Sequence, residues 1–180
     1  MIVTNARSIR PNSDNQNFEE LQTYASYMTE FRDACLLCVS ETWLCDKVSD
    51  QSVSIDGFGV PIRTDRDAET SGKTRGGGVC LYINERWCSS ASVTVRKQLN
   101  TRELDLLSVS LRPRYLPREF GQIFVTVVYT PPDANAARAA AQPGVDRDGA
   151  RHPVRTVPRS MRGGARPRRA GVDGAGRRPR

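Results

Sequence analysis

The apolar run "ACLLCVSE", residues 34–41, constrains the fold of this chain more than any other stretch. Up to Ser40 its residues are apolar or small, which is typical of a strand that is buried on both faces. Apolar residues recur at helical spacing ahead of it and predict an amphipathic helix over 18–33. The stretch "MIVTNARSI" begins as a short strand that breaks at Asn5. A strand, a helix and a buried strand together predict a βαβ opening and an α/β fold.

The rest of the folded part is predicted to be mostly β-structure. Runs rich in Val, Ile and Leu predict further strands at 58–62, 78–84, 91–97, 103–111 and 122–130. Asn17 is the predicted N-cap of the first helix, and Asp133 is the predicted cap of a short helix over 133–141. A polar loop is predicted over 63–76.

Three glycines at 76–78 precede a predicted strand. They could cradle a phosphate, or they could form a flexible turn with close backbone packing. No helical pattern follows them, which argues against a P-loop or a dinucleotide site.

Residues 142–180 differ in composition from the rest of the chain. They hold 11 arginines and 3 aspartates, a net charge of +8, and no Leu, Ile, Lys or aromatic residue. Such a segment buries too little apolar surface to offset its chain entropy, so we predict a disordered tail. The predicted folded domain, residues 1–141, carries a net charge of −1. The basic pI therefore belongs to the tail and indicates no nucleic-acid face on the domain.

The arginine-rich tail has two interpretations that composition leaves open. It could be an arm that binds nucleic-acid phosphates through counterion release. Arginine without a single lysine, beside Gly, Ala, Pro and Val, is also what a GC-rich stretch gives when it is read in the wrong frame.

Cysteine usage and hydropathy bear on location. The five cysteines are an odd number, and the sequence has neither a signal-peptide pattern nor an apolar run long enough to cross a membrane. We therefore expect reduced thiols in a nuclear or cytoplasmic protein. Cys35 and Cys38 have the spacing of half a zinc site, but they lie in an apolar strand without a second half. The only histidine, His152, lies in the tail, so buried free cysteines are the favoured interpretation.

Three polar side chains lie at the C-terminal ends of predicted strands: Asn5, Glu41 and Tyr129. If these strands are neighbours, the three side chains converge at one rim. A carboxylate with neighbouring oxygens suits Mg²⁺, and an amide and a phenol can contact a phosphate. Together they suggest metal-assisted phosphodiester cleavage. The residues alone also allow a solvated Glu41 and a Tyr129 that only packs at a turn.

Four motifs, "TNARSI", "SETWL", "RGGGVCLYIN" and "VVYTPPD", occur in this order. With them the chain resembles the endonuclease/exonuclease/phosphatase superfamily, and most closely the apurinic-type endonuclease domain of non-LTR (LINE-type) retrotransposons. The resemblance covers residues 1 to about 141. It implies a partial four-layer α/β sandwich like that of DNase I, and an enzyme that nicks one DNA strand to prime reverse transcription.

The resemblance also implies roles for the three strand-end residues. Glu41 matches the family's Mg²⁺-binding glutamate, and Asn5 matches the asparagine near the metal and the phosphate. Tyr129 matches the tyrosine that contacts the scissile phosphate. The resemblance thus implies Mg²⁺ as cofactor and DNA as partner; no membrane is expected, and the oligomeric state is open.

Two motifs of that family do not occur in the 180 residues. They are the Gly-Asp-Phe-Asn motif beyond the tyrosine and the Ser-Asp-His motif that closes the domain. We therefore expect a truncated, inactive domain with a sheet face that lacks its cover. The alternatives are a non-catalytic remnant that binds nucleic acid through its basic tail, and a frame-disrupted product without function.

Overall fold

The computed structural model describes residues 1–11, 16–72 and 76–142. The chain separates into two compact units, Met1–Val145 and Asp146–Arg180, and all described residues lie in the first. The predicted tail, residues 142–180, lies outside the described part except for Gln142.

Seven strands form two sheets, and each strand is rich in the aliphatic residues that favour extended structure. In chain order they are β1 (Ile2–Asn5), β2 (Leu36–Ser40), β3 (Ile62–Thr64), β4 (Val79–Ile83), β5 (Val93–Asn100), β6 (Asp105–Leu111) and β7 (Ile123–Tyr129). The first sheet has the order β1-β2-β4-β3, and the second has the order β5-β6-β7. β1 and β2 are parallel, whereas all other pairs are antiparallel. The chain is thus a mixed α/β fold, as the sequence predicts, and it has a second sheet that the sequence analysis did not expect.

The helices are few and short. They are α1 (Asn17–Tyr27), α2 (Thr29–Arg32), α3 (Ala68–Ser71) and α4 (Ala136–Ala140), with single 3-10 turns at Asp50–Val53 and Ser90–Ser92. None of the helices in the described ranges is long and apolar enough to cross a membrane.

The predicted single helix over 18–33 is wrong, because the chain breaks at Met28. Met28 is extended, with φ −93° and ψ 119°, and separates α1 from α2. The predicted cap is wrong as well. Asn17 is already helical, and its amide donates to the Ala6 carbonyl at 2.6 Å, so it ties α1 to the end of β1.

Two predicted elements lie elsewhere in the chain. Of the predicted strand 58–62, only Ile62 lies in β3, and Phe58 makes an isolated bridge to Asn84. The short helix near the end is α4, and its cap is Asn135 rather than Asp133. The Asn135 side chain accepts hydrogen bonds from two backbone amides of the first turn.

Helix α1 covers one face of the first sheet. Its buried residues Phe18, Leu21 and Ala25 pack in one core with Leu37 of β2 and Tyr82 of β4. The spacing of three and four residues places these helix positions on one side, as the sequence pattern predicts.

The second sheet covers the opposite face of the first. Alternate residues of β2 and β4, such as Cys38 and Leu81, pack in one core with Leu107, Val109 and Val127 of the second sheet. The expectation of an uncovered sheet face is therefore wrong for the first sheet. β5, β6 and β7 lie 30 or more residues beyond the strands of the βαβ opening and supply the cover.

The outer face of the second sheet is only partly covered. Leu104, Leu106 and Ala139 form a small core, so α4 packs over one end of this face. Phe124 and Val128 of β7 point to the same side and are largely exposed. The five cysteines are free; Cys38, Cys80 and Cys88 are buried, and Cys35 and Cys45 are half-buried.

Candidate functional site

The C-terminal ends of β1 and β2 meet at one edge of the first sheet, because the two strands are parallel. Asn5 lies beside Ser40 in the register, and Glu41 follows directly. The chains stay paired past the strand ends: Ala6 N donates to Ser40 O at 3.0 Å, and Ser8 N donates to Glu41 O at 2.7 Å. This pairing fixes where the Glu41 backbone lies.

Left-handed backbone is concentrated at the same edge. Within the described residues, four non-glycine residues have positive φ: Arg7 (49°), Ser8 (96°), Glu41 (57°) and Trp43 (56°). Each such residue costs about 1–3 kcal/mol, and such strain clusters at functional sites. Both chains turn sharply here, and the turn directs Glu41 towards the second sheet.

The Glu41 carboxylate accepts hydrogen bonds from both sides. Its Oε1 accepts from the Tyr129 hydroxyl. Its Oε2 accepts from the Trp43 indole N–H at 2.5 Å and from the Gly77 amide at 3.4 Å. The structure thus brings Glu41 and Tyr129 into direct contact across the two sheets, although they are 88 positions apart.

Asn5 lies at the neighbouring strand end but does not join this contact. Its side chain is exposed, and its Oδ1 accepts from the Arg7 amide at 3.2 Å. Among the hydrogen bonds of the described residues, none links Asn5 to Glu41 or Tyr129. Of the three residues that the sequence singles out, two touch and the third is adjacent.

A buried carboxylate, Asp105, lies next to this edge, and the sequence analysis missed it. Its side chain is 0% exposed. Oδ2 accepts from Gly78 N at 2.8 Å and from Arg66 Nη2 at 3.1 Å, and Oδ1 accepts from Asn100 Nδ2 at 2.6 Å. Burial raises the pKa of Asp105, the Gly78 and Arg66 donors oppose that shift, and the charge of Glu41 adds to it. The signal in the sequence was a charged residue at the start of a strand whose other residues are uncharged.

The Asp105 network joins the two sheets under the candidate site. Asp105 is the register partner of Tyr129 on β7, and both face the first sheet. Arg66 follows β3 and is only 4% exposed. Its Nη2 pairs with Asp105 at 3.1 Å, and in the described part of the molecule its Nε is buried without a hydrogen-bond partner.

The three glycines at 76–78 form the turn between the two carboxylates. Their φ angles are 88°, 74° and 84°, a backbone conformation that residues with a side chain rarely adopt. A Cβ on Gly77 would lie 2.3 Å from Arg66 Nε and 2.7 Å from Asp105 Oδ2. The turn therefore needs glycine at position 77 for close packing, and its amides bind Glu41 and Asp105.

The donor set fits a Mg²⁺ ion held by one carboxylate. No group of three or more His, Cys, Asp or Glu side chains suited to a metal occurs in the described ranges. Mg²⁺ is often held by one or two carboxylates and keeps several waters. Among the described residues, every group that hydrogen-bonds the Glu41 carboxylate is a donor, so its remaining lone pairs can bind a cation, and the exposed Asn5 amide oxygen is a second candidate ligand. Asp105 is unsuitable because three donors occupy its two oxygens.

No protein-family model matches the sequence, and the search of curated proteins finds no match.

Proposed function

We propose that the domain at residues 1–141 belongs to the endonuclease/exonuclease/phosphatase superfamily and carries the metal- and phosphate-binding edge of a Mg²⁺-dependent DNA-nicking phosphodiesterase. Its α1, first sheet and second sheet correspond to three layers of that superfamily's sandwich, and α4 lies where a fourth layer would begin. The four motifs of the sequence and this layering support the assignment.

One observation carries the proposal: the Tyr129 hydroxyl bonds the Glu41 carboxylate across two sheets. The Glu41 carboxylate accepts hydrogen bonds from a phenol, an indole N–H and a backbone amide. These three donors leave it little freedom to rotate, so it is oriented for a ligand. A surface glutamate without function needs no such support.

Each residue of the edge has a distinct task in this proposal. Glu41 holds the ion, with Asn5 as a second oxygen ligand. When bound, Mg²⁺ stabilises negative charge on the phosphoryl group. A phenol has one proton to donate, so on phosphate binding the Tyr129 hydroxyl leaves Glu41 and donates to a phosphate oxygen, while Trp43 keeps Glu41 in its orientation.

The 180 residues lack the two motifs that supply the water-activating groups in that superfamily. Neither Gly-Asp-Phe-Asn nor Ser-Asp-His occurs in them, and Asp146, Asp148 and His152 lack the setting of those motifs. General-base assistance alone is worth about 10²–10⁴-fold in rate. We therefore expect this chain to bind metal and DNA phosphate without cutting.

Metal binding tests the proposal independently of turnover. Mn²⁺ replaces Mg²⁺ as a paramagnetic probe, and its binding is followed by electron paramagnetic resonance. Glu41→Gln should weaken binding by at least about tenfold. Glu30→Gln, at an exposed position on α2, is the matched control and should bind Mn²⁺ like the unaltered chain. Equal affinity in both variants would refute the metal site.

A plasmid assay tests the second half of the proposal. Supercoiled DNA is incubated with the chain and Mg²⁺, and nicked circles are quantified on a gel. We expect no nicking above background. Nicking that Glu41→Gln abolishes would show that the chain is an active enzyme and would overturn the expected inactivity.

A further inference from the structure

The loop between β6 and β7 combines cationic and aromatic side chains on the surface. Residues 112–122 read "RPRYLPREFGQ", with three arginines and one glutamate, a net charge of +2. All three arginines are exposed. Tyr115 is 86% exposed and Phe120 is 61% exposed, so both rings stand in solvent. We call this loop the basic–aromatic hairpin.

A polar cavity of about 390 Å³ adjoins the base of the hairpin. It is lined by the side chains Ser92, Thr94, Arg96, Ser110, Arg112 and Gln122, among others. Arg96 Nε donates to Ser110 Oγ at 2.9 Å, which holds that guanidinium at the cavity. Two guanidinium groups among hydroxyls and an amide suit the oxygens of a phosphate.

A third exposed ring continues the surface along the outer face of the second sheet. Phe124 is 60% exposed and is the register partner of Ser110, which lines the cavity. Exposed rings and exposed cations thus both occur from the hairpin to the sheet face. Monomeric proteins seldom expose several large rings together unless the surface binds something.

The hairpin lies away from the candidate metal site. β6 runs from Asp105, beside the metal site, to Leu111, beside the hairpin. At about 3.4 Å per residue, the two ends of β6 are about 20 Å apart. A ligand of the hairpin is thus separate from a phosphate held at Glu41.

We propose that the basic–aromatic hairpin and its cavity form a second binding surface that takes single-stranded nucleic acid. The arginines and the cavity bind backbone phosphates, and the rings of Tyr115 and Phe120 stack on unpaired bases. The hairpin carries a net charge of +2, whereas residues 1–141 as a whole carry −1. The attraction of the domain for a polyanion is therefore concentrated at the hairpin. A membrane surface fits less well, because the cavity that adjoins the hairpin is lined by polar and hydroxyl-bearing side chains. The proposal does not rest on the metal site.

The test uses the full chain and a fluorescein-labelled oligothymidylate, in EDTA so that no divalent ion contributes. Fluorescence anisotropy gives the affinity. Tyr115→Ala and Phe120→Ala should each weaken binding by about 5- to 150-fold, the loss of one stacked base. Tyr27→Ala is the matched control, because Tyr27 is 84% exposed on α1 and lies outside the hairpin. Circular dichroism verifies that each variant is folded.

Charge is tested separately by replacing the three hairpin arginines with glutamine. The slope of log affinity against log salt should fall in magnitude by about 2, since each single-strand phosphate contact contributes about 0.7. The same replacement at Arg32, Arg86 and Arg102, which are also exposed, is the control. It should change the slope by less than about 0.7, the contribution of one phosphate contact.

Three results would overturn the proposal. Unchanged affinity in both ring variants would show that the two rings do not contact the oligonucleotide. An equal loss in the Tyr27 control would show that the effect is unspecific. Binding of phosphatidylserine vesicles that depends on Tyr115, while oligonucleotide binding does not, would identify a membrane surface instead.

Discussion

Replacing Gly77 with alanine tests whether the glycine turn is packed as tightly as the structure shows. Gly77 has φ +74°, and an added Cβ would lie 2.3 Å from Arg66 Nε. An arginine tip usually moves aside at little cost. Arg66 cannot, because it is 4% exposed and held by Asp105 at 3.1 Å.

Gly57 offers a control with the same backbone strain and no crowding. Its φ is +82°, and an added Cβ would meet no heavy atom within 4 Å. Left-handed backbone costs a non-glycine residue about 1–2 kcal/mol, which both variants share. Overpacking adds about 1–3 kcal/mol at Gly77 alone. We expect losses of about 1–2 kcal/mol for Gly57→Ala and about 2–5 kcal/mol for Gly77→Ala.

Urea unfolding followed by circular dichroism measures both free energies. With a slope of about 2 kcal/mol per molar urea, the midpoint of Gly77→Ala should fall about 0.5–1.5 M below that of Gly57→Ala. The two variants share the chemical change and the sign of φ, so the difference isolates the contact with Arg66 and Asp105. Equal midpoints would refute the close packing of the turn.

Two further predictions concern the side chains around Glu41. The Trp43 indole donates to Glu41, so metal binding at Glu41 should change the fluorescence of Trp43. In a titration with Mg²⁺ alone, the fluorescence change should persist in Trp87→Phe and disappear in Trp43→Phe. A response that survives in Trp43→Phe would contradict the contact. Burial raises the pKa of Asp105 above its ordinary value, so the folded chain binds the proton more tightly than the unfolded chain. Stability from this group is present at acidic pH and is lost as pH rises through the folded pKa. The unfolding free energy relative to Asp105→Asn should therefore fall from acidic to neutral pH, and urea unfolding across that range checks the sign.

The elements that sequence patterns predict well are those that local chemistry decides. β2 is apolar throughout and flanked by a helix, so burial on both faces follows from composition. The break at Met28 could not be predicted, since Met favours helix and neither glycine nor proline marks the site. The role of Asn17 could not be predicted either. Its side-chain amide donates to the carbonyl of Ala6, just after β1, a partner that only the tertiary structure brings near.

In the candidate site, too, some features follow from local sequence and others depend on tertiary contacts. Placing Glu41 and Tyr129 at strand ends was possible from their neighbours in sequence, and their contact follows from how the two sheets stack. Asp105 was overlooked because β6 also carries Ser108 and Ser110, so its polar residues look like those of an ordinary half-exposed strand. Its role depends on Arg66 and Gly78, which approach it from distant parts of the chain. The function of these residues stays a prediction.

The two outer strands of the second sheet differ in how they meet solvent. β5 carries Arg96 and Lys97 and an irregular register at that point, features that discourage a further strand from adding. β7 reads "IFVTVVY", without a charge or a proline, and in the described part of the chain it pairs only with β6. Its free backbone groups are a template for another extended chain. At high concentration, molecules of this protein should therefore associate edge to edge through β7. The substitution Thr126→Lys is the simplest way to prevent this association.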